Sequence, residues 1–560
     1  MRIGVALLFI ALVGCAGMQQ PPAESVPMAS SGTLFLAGTV VAGPDQTPRK
    51  NWGVYVENGV VRETGPATEL QRTHPRANVY SVIDATLLPG LTDAHGHLYG
   101  LGIALDTVSL VGTNSFDEVL ARVRERAATT PKGDWVIGRG WDQNDWTVKE
   151  FPTAAQIDAV VPDQPVFLRR VDGHAAVANS AALRAAGITA ATKDPEGGRV
   201  IRDASGNPTG TFVDAAMDLV EDHMPAASAA LRKSRVLAAA QNIAANGLTE
   251  MHDAGIDAAT IVAVKELIDE KRFPIRVYAM LGDNDQLLRT WFAQGPLNEY
   301  GGRLTVRSVK LYADGALGSR GAALLAPYSD DAGNVGLMLA KPEHIEDVAR
   351  RGRAAGFQIN THAIGDRGVR NVIDSYSRAG VGAKDRFRVE HLQVIAPDDV
   401  ATLVQHGIIA SMQPTHATSD MPWAEARLGP ERVKGAYAWR TVLNAGGRLA
   451  LGSDFPVEDV NPFFGIYSAV TRQDQEGQPA GGWYPSQRLT LAEAIRGFTA
   501  DAAFAAFEEK SRGTIEPGKV ADFTIVEGDL YAMPVSELHK TTVRATVVGG
   551  AIVYDSKSSK

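Results

Sequence analysis

Short apolar segments alternate with helical segments through the middle of this chain, and this alternation constrains the fold more than any other feature. Eight apolar segments are predicted as strands: residues 86–92, 247–251, 275–280, 306–312, 358–361, 387–390, 408–412 and 448–451. Helical segments are predicted between most of them: residues 259–270, 342–355, 368–379, 397–406 and 432–445. The pattern predicts a parallel sheet with crossover helices.

Eight strand–helix units over roughly 400 residues are typical of a (β/α)8, or TIM, barrel. We therefore expect an α/β fold whose main domain, residues 86–508, is such a barrel. The distance along the chain between the first and second strands is too long for one crossover. Residues 105–230, approximately, are therefore expected to form an insertion after strand 1, a lid or subdomain over the barrel mouth.

Both ends of the chain are rich in short β segments. Asn58-Gly59 and Gly549-Gly550 each separate two β-branched runs, which is a hairpin signal. Residues 32–85 and 509–560 are therefore expected to form one small β-sandwich domain from both termini.

The N-terminal apolar run, residues 3–13, is too short to span a bilayer permanently and fits the core of a secretory signal. It ends in the sequence LVGC, which resembles the bacterial lipobox, and Cys15 is the only cysteine of the chain. This pattern predicts a signal peptide over residues 1–14, a lipidated Cys15 and a tether over residues 15–31. The protein is then exported, periplasmic and anchored to the membrane. The alternative is an ordinary signal peptide with a chance cysteine.

A net charge of −9 without a dense basic cluster argues against nucleic-acid binding. The glycines at positions 133, 138 and 140 are too irregular for a dinucleotide loop, so no nucleotide cofactor is expected. The expected partners are a small-molecule substrate and the membrane, with a homodimer as the default assembly.

The first predicted strand leads into Asp93-Ala94-His95-Gly96-His97. Residues two apart in a strand point to the same face, so His95 and His97 can reach one metal ion, and Gly96 leaves room between them. An isolated pair of this kind arises by chance about as often as by function.

The ends of other strands carry the same kind of residue. His362 follows strand 5, His391 strand 6 and Asp454 strand 8, and Lys310 lies in strand 4. Barrel enzymes place their reactive groups at these strand ends. Histidine nitrogens with a carboxylate suit a divalent metal such as zinc. Each histidine by itself is equally compatible with a buried, backbone-bonded side chain.

The arrangement resembles the amidohydrolase superfamily, and within it the branch of YtcJ-like proteins and N-substituted formamide deformylase. The motifs that carry the resemblance are GRGWD (138–142), VDGHA (171–175), NSAAL (179–183), DPEGG (194–198), GLTEMHDAG (247–255), VKLYADG (309–315), SMQPTH (411–416) and GTIEPGKVAD (513–522). They extend over nearly the whole mature chain.

The resemblance implies one metal on His95, His97 and Asp454, a second on His362 and His391, and a carboxylated Lys310 that bridges the two. One or two Zn²⁺ per chain are then expected. A salt bridge between Lys310 and Asp314 is the alternative, and it leaves a site that is mononuclear or holds its second metal weakly.

Other residues receive catalytic or binding hypotheses. Asp454 is expected to take the proton from water and pass it to the leaving amine, unless it is only a ligand. His416 is interpreted as an oxyanion donor or a loop histidine, and His174 as a group that closes over substrate or a structural one. Supporting or substrate-contact roles are considered, beside purely structural ones, for His252, Asp253, Trp141, Asp142 and Arg320.

The sequence therefore predicts a metal-dependent hydrolase that cleaves a C–N bond in a small non-peptide amide, formamide or cyclic amide. Ester, lactone or deamination chemistry on the same site is one alternative. A catalytically inactive binding or regulatory protein is another, although every predicted metal position carries a competent ligand.

Overall fold

The computed structural model describes residues 32–43, 46–143, 146–170, 175–195, 198–224, 226–318 and 320–558. Residues 1–31, which include the predicted signal peptide, Cys15 and the predicted tether, lie outside these ranges, as does His174. Among the described residues, every helix is too short or too polar to cross a membrane.

Eight parallel strands are hydrogen-bonded in chain order and form the barrel: Leu91–Gly96, Leu248–Ile256, Arg276–Leu281, Leu304–Tyr312, Gln358–Ala363, Arg388–His391, Ile409–Met412 and Leu449–Leu451. Just beyond strand 8, the amide of Asp454 donates to the carbonyl of His95 at 2.7 Å. This bond joins the end of the last strand to the end of the first. The predicted α/β barrel is confirmed.

The predicted first strand is placed too early. Residues 86–88 belong to the strand Asn78–Pro89 of the terminal sheet, and the barrel strand begins at Leu91. Gly90 separates the two strands, and its amide donates to the Asp522 carbonyl at 2.9 Å. The apolar pattern continues through both strands because both are buried, so it does not show the boundary.

The helices that surround the barrel are Leu98–Asp106, Ala229–Ala245, Ala258–Asp269, Asp285–Gln294, Pro342–Ala354, Asp366–Arg378, Pro397–Gln405, Pro414–Arg432, Trp439–Asn444, Pro462–Thr471, Leu491–Gly497 and Ala500–Ala505. The predicted helix over residues 432–445 is wrong in extent, because Tyr437 has a left-handed backbone and only Trp439–Asn444 is α-helical. The long helix before it was missed. Its prolines at 422 and 430 disguise it, and Gly429 kinks it with a φ of 76°.

The terminal segments form one continuous seven-stranded sheet, in the order Ala551–Asp555, Val543–Val548, Phe523–Glu527, Asn78–Pro89, Thr33–Val40, Arg49–Glu57 and Val60–Pro66. The helix Ala67–Thr73 packs beside it. Asn58-Gly59 and Gly549-Gly550 both have left-handed backbones and close the two predicted hairpins. One domain is therefore built from both ends of the chain, as predicted.

The predicted insertion after strand 1 is present. Its six-stranded sheet has the order Gly198–Arg202, Pro208–Asp214, Ala175–Ala178, Val166–Arg170, Val136–Trp141 and Val108–Ser109. Its helices are Phe116–Thr129, Ala154–Asp158, Ser180–Ala185 and Asp218–Glu221. Two apolar clusters of its own give this unit a separate core.

Candidate metal centre

The HxH pair lies at the end of the first barrel strand, facing the residue that follows strand 8. His97 Nε2 is 2.9 Å from Asp454 Oδ1, and His95 Nε2 is 3.6 Å from the same oxygen. Gly96 is required by packing, because a Cβ atom there would lie 2.7 Å from the ring of Phe455. His95, His97 and Asp454 are close enough to share a metal ion.

His391 brings a second histidine group to the same point. Its ring centroid is 4.7 Å from that of His95 and 4.6 Å from that of His362. His416 Nε2 is 3.7 Å from Asp454 Oδ2, so His391, His416 and Asp454 form another group with metal-binding spacing. The structure thus brings all the predicted metal-site residues together and places His416, predicted as a catalytic residue, beside them.

Lys310 is buried among these histidines, with Nζ 3.2 Å from His95 Nε2. The salt bridge to Asp314 is wrong. Both Asp314 oxygens accept backbone N–H groups, from Ala323, Ile364 and Gly365 at 2.8–2.9 Å, and no ion pair with Lys310 occurs among the described residues. Asp314 therefore fixes the loops after strands 4 and 5.

Hydrogen bonds on Nδ1 set the tautomers of two histidines. His95 Nδ1 bonds the buried Glu390 carboxylate, and His391 Nδ1 lies 2.8 Å from the Gln413 side-chain oxygen. Both partners are acceptors, so each Nδ1 carries the proton and each Nε2 keeps its lone pair. At His95 this lone pair faces the site, because Nε2 lies 3.6 Å from Asp454 Oδ1 and 3.2 Å from Lys310 Nζ. At His391 the ring nitrogen that lies 4.0 Å from Asp454 Oδ2 is Nδ1.

His416 has the opposite arrangement. Gln393 Nε2 lies 3.2 Å from His416 Nδ1, and an amide nitrogen is a donor. The neutral ring then carries its proton on Nε2, which has no hydrogen-bond partner within the described structure. His416 therefore offers a donor to the site, whereas His95 offers an acceptor.

The sequence analysis missed Glu390, Gln393 and Gln413, which orient the histidines. It also missed Asp93, which joins the first and last strands: its carboxylate accepts from the Ser453 hydroxyl at 2.7 Å and from the His95 amide at 3.0 Å. Their positions in the sequence could have indicated these four residues, since each lies within three residues of a predicted site residue.

Burial shapes the charges of the site. Desolvation holds the pKa values of His95 and His391 well below the ordinary range, and together with Lys310 it lowers the pKa of His362 to about 3. Burial lowers the pKa of Lys310 to about 8. Desolvation acts to raise the pKa of Asp454, but the hydrogen bond from His97 and the neighbouring histidines outweigh it and keep that pKa low.

The donor set fits a divalent metal. The lowered pKa values keep His95, His362 and His391 neutral at neutral pH and Asp454 ionised, which are the forms that bind metals. The buried Nε2 atom of His362 has no hydrogen-bond partner among the described residues, and its contact with Asp314 Oδ1, at 3.7 Å, is longer than a hydrogen bond. Nitrogen donors with one carboxylate match the preferences of zinc and related ions.

The site opens into a cavity of about 380 Å³. Apart from the donor residues, its lining includes Tyr312, Leu317, Gln393, Asp420, Trp423 and Glu458. The signal for part of this wall was present in the sequence, because residues 416, 420 and 423 have helical spacing.

Several predicted substrate contacts lie elsewhere. Trp141 is buried in the insertion core and donates to the Leu168 carbonyl at 2.8 Å, while Asp142 pairs with Arg170. Arg320 pairs with Asp330 through two hydrogen bonds. None of the three candidates, Trp141, Asp142 and Arg320, lines the cavity in the described structure.

His252 and Asp253, considered for supporting roles, lie beside the site. His252 Nδ1 is 2.9 Å from the buried Arg388 guanidinium, and Asp253 accepts from the Leu98 amide at 3.2 Å. Arg388 also donates to the Ala94 carbonyl at 3.3 Å, so His252 supports the first strand through this arginine.

Comparisons with known proteins agree with this geometry. Residues 82–554 match the model of the Amidohydrolase family. YtcJ of Bacillus subtilis (strain 168), whose name assigns it to the amidohydrolases, is 35% identical over 511 residues, covering 90% of this chain and 96% of its own. The N-substituted formamide deformylase of Arthrobacter pascens is 28% identical over 531 residues, covering 90% and 95%.

A solved metal-dependent hydrolase from Pyrococcus furiosus superposes with a TM-score of 0.75 at 25% identity, covering 89% of this chain and 99% of its own. The barrel, its terminal β domain and the histidine-rich centre define a metal-dependent hydrolase. The chain belongs to the amidohydrolase family, on the branch that includes YtcJ.

Proposed function

We propose that this hydrolase cleaves the C–N bond of a small non-peptide amide, formamide or cyclic amide. One observation carries the proposal: four histidines, Lys310 and Asp454 converge at the mouth of the barrel, beside a cavity large enough for a small molecule. The Arthrobacter relative is named an N-substituted formamide deformylase, which supports the choice of bond.

We assign one zinc ion to His95, His97 and Asp454, and a second to His362 and His391. Lys310, as a carbamate, is the proposed bridge. Its amine lies among these donors without a carboxylate partner within salt-bridge distance in the described structure, as a bridging position requires. A metal bound there would lower the pKa of water and polarise the substrate carbonyl.

Asp454 is assigned the role of accepting the proton of the attacking water and delivering it to the leaving amine. Its carboxylate is ionised at neutral pH and lies 2.9 Å from His97. His416 would donate from Nε2 to the oxyanion that forms at the carbonyl carbon, in agreement with its hydrogen bond to Gln393. His174 lies outside the described residues, and its role of closing over the substrate remains a hypothesis.

Metal analysis of a protein spanning residues 16–560 tests this proposal, with Lys310→Ala beside the wild type. About two zinc ions per chain, falling to one or none in the variant, support the bridged centre and justify a screen of amides. About one in both proteins would mean a mononuclear hydrolase in which Lys310 is structural. No metal in either protein would favour the binding or regulatory alternative.

The substrate screen distinguishes the enzyme alternatives. Turnover of amides and formamides supports the proposal, whereas turnover of esters or lactones only, or release of ammonia from an amine substrate, would replace it with the corresponding alternative.

We also propose export and lipid anchoring through Cys15, supported by the lipobox-like sequence. The expected result is that wild-type protein fractionates with membranes and carries lipid, while Cys15→Ser does neither. Continued lipid attachment in the variant would contradict the anchor. Sedimentation of the soluble form tests the proposed homodimer.

A further inference from the structure

One face of the helix Pro414–Arg432 forms a wall of the active-site cavity. His416, Asp420 and Trp423 are spaced four and then three residues apart, so they share one helix face, and all three line the cavity. The side chain of Glu458, which follows strand 8, lines the same cavity. This wall lies outside the proposed metal ligands and is free to contact the substrate.

The wall carries two carboxylates without cationic partners. Asp420 accepts a hydrogen bond from the Tyr437 hydroxyl at 2.6 Å, and Glu458 accepts one from the Ser419 hydroxyl at 2.6 Å. Within the described ranges, neither carboxylate forms an ion pair. Hydroxyl donors supply no positive charge, so the wall presents two acidic side chains to the cavity. Burial raises the pKa of Asp420, and the hydrogen bond from Tyr437 acts to lower it.

Apart from the proposed metal ions, the cavity offers no cation to a substrate. Among its described lining residues, Lys310 is the only lysine or arginine, and it lies against His95 within the proposed metal centre. A substrate carboxylate placed beside Asp420 and Glu458 would therefore meet two acidic side chains and no cationic one.

An aromatic ring completes the wall. Trp423 is half-buried and held on two sides: a Cβ atom on Gly318 would lie 3.2 Å from its ring, and the Arg427 guanidinium lies 5.7 Å from the ring centroid. Arg427 forms an ion pair with Asp330 and is not among the described lining residues of the cavity. An aromatic face beside carboxylates is a favourable environment for an alkylammonium group.

The proposed oxyanion donor, His416, relates the reactive carbonyl of the proposed function to this wall. His416 is only 7% exposed, its Nε2 has no partner in the described structure, and it lines the cavity. A substrate carbonyl that accepts from His416 places one substituent one helical turn away, at Asp420.

We infer that the cavity selects amides whose substituent carries a positive charge, an ammonium group held by Asp420 and Glu458 beside Trp423, and rejects substrates with a carboxylate there. The reactive bond in this inference rests on the proposed function. The charge preference rests on the wall itself.

The test uses acetanilides with three para substituents on the metal-loaded protein: trimethylammonium, its neutral isostere tert-butyl, and carboxylate. We expect kcat/KM to favour the cation over the anion by about tenfold or more. Glu458→Gln and Asp420→Asn keep their hydroxyl partners but remove a charge, and each should reduce the ratio about three- to fivefold. Glu431→Gln, on the same helix and outside the cavity lining, is the matched control and should preserve the ratio.

Binding gives a second readout that does not need turnover. Ligand-observed NMR compares benzyltrimethylammonium with benzoate, and the cation should bind the wild type more tightly and lose affinity in Glu458→Gln. Cation-selective binding without anilide hydrolysis would support the charge preference and count against the amide function. Hydrolysis with no charge preference, or with a preference unchanged in both cavity variants, would overturn this inference and leave the amide function standing. A wild-type protein that neither binds the cation selectively nor hydrolyses the anilides would overturn it as well.

Discussion

At the scale of single residues, the metal centre depends on backbone conformations that ordinary side chains rarely adopt. His391, Leu392 and Asp454 have φ values of 72°, 44° and 66°, in the left-handed region. Non-glycine residues there cost free energy and persist only where the surrounding structure holds them. The two strand ends that carry His391 and Asp454 therefore turn their side chains inward at a cost in local stability.

Asp454→Asn should abolish turnover while the fold is retained. Asparagine tolerates the left-handed backbone at this position, but it cannot accept a proton as a carboxylate does. We expect kcat to fall by about 10²–10⁴-fold, measured on any amide found in the screen. Thermal unfolding and metal content are recorded in parallel, so that metal loss is distinguished from loss of the proton acceptor. More than a few per cent of residual activity would exclude Asp454 as the proton shuttle.

Gly96→Ala should destabilise the protein and lower its metal content. The added Cβ would meet the Phe455 ring at 2.7 Å, and one of the two must move, which is expected to cost about 1–3 kcal/mol. Urea unfolding measures the loss, and metal analysis reports the displacement of His95 or His97. Gly333→Ala adds the same group where nothing lies within 4 Å and should change neither quantity. Equal stability of the two variants would show that Gly96 is not required by packing.

At the scale of elements, caps tie the outer helices to one another. Thr490 and Glu493 form a capping box at the start of the helix Leu491–Gly497. Glu493 also accepts two hydrogen bonds from Arg440, at 2.8 and 2.5 Å, from the helix Trp439–Asn444. One carboxylate therefore caps its own helix and joins it to a neighbour.

The Glu493 contacts should make stability depend on pH. The hydrogen bonds from Arg440 lower the pKa of Glu493 from 4.5 to about 2. A lowered folded-state pKa contributes stability that is complete above about pH 4.5 and is lost as the pH falls towards 2. Glu493→Gln should therefore cost about 1 kcal/mol at pH 7, allowing for partial exposure, and progressively less below pH 4.5.

Urea unfolding at pH 7 and at low pH measures this difference. Glu537→Gln, which removes an exposed partner of Lys540, is the control and should change stability by less than about 0.5 kcal/mol. A penalty for Glu493→Gln that stays constant across the pH range would refute the assigned ion pair.

At the scale of the whole molecule, a buried ion pair joins the barrel to the terminal sheet. Arg276 begins the third barrel strand, and its guanidinium donates to both oxygens of Asp522, at 2.7 and 2.9 Å. Asp522 also accepts from the Gly549 amide at 2.7 Å, at the turn of the C-terminal hairpin. Both side chains are less than a tenth exposed, so water does not compensate either charge.

Asp522→Asn should lower the free energy of unfolding by about 3 kcal/mol, because it leaves the Arg276 charge buried without a counterion. The midpoint of urea unfolding, followed by tryptophan fluorescence, measures the change. Asp529→Asn removes the partner of the exposed Lys50 and should cost less than about 1 kcal/mol. Comparable losses in the two variants would mean that the contact between the domains does not depend on this pair.

Much of the fold and part of the site are properties of the sequence by itself. All eight predicted segments overlap barrel strands, although the first does so only at residues 91–92, because the strands are apolar throughout and the helices between them have their own period. The ends of those strands predict a site of His95, His97, His362, His391 and Asp454, because parallel barrel strands all end on one face of the barrel. A local pattern is sufficient for both.

Only the tertiary structure decided how these residues are used. The Glu390 bond to His95, the contrasting amide partners of His391 and His416, and the backbone amides that occupy Asp314 all join groups from different strands or loops. The position of the first strand also followed from its pairing with strand 2. Spacing along a chain does not encode distances between its distant parts. Tautomer, charge and cavity lining depend on those distances, so the packed barrel alone determines them.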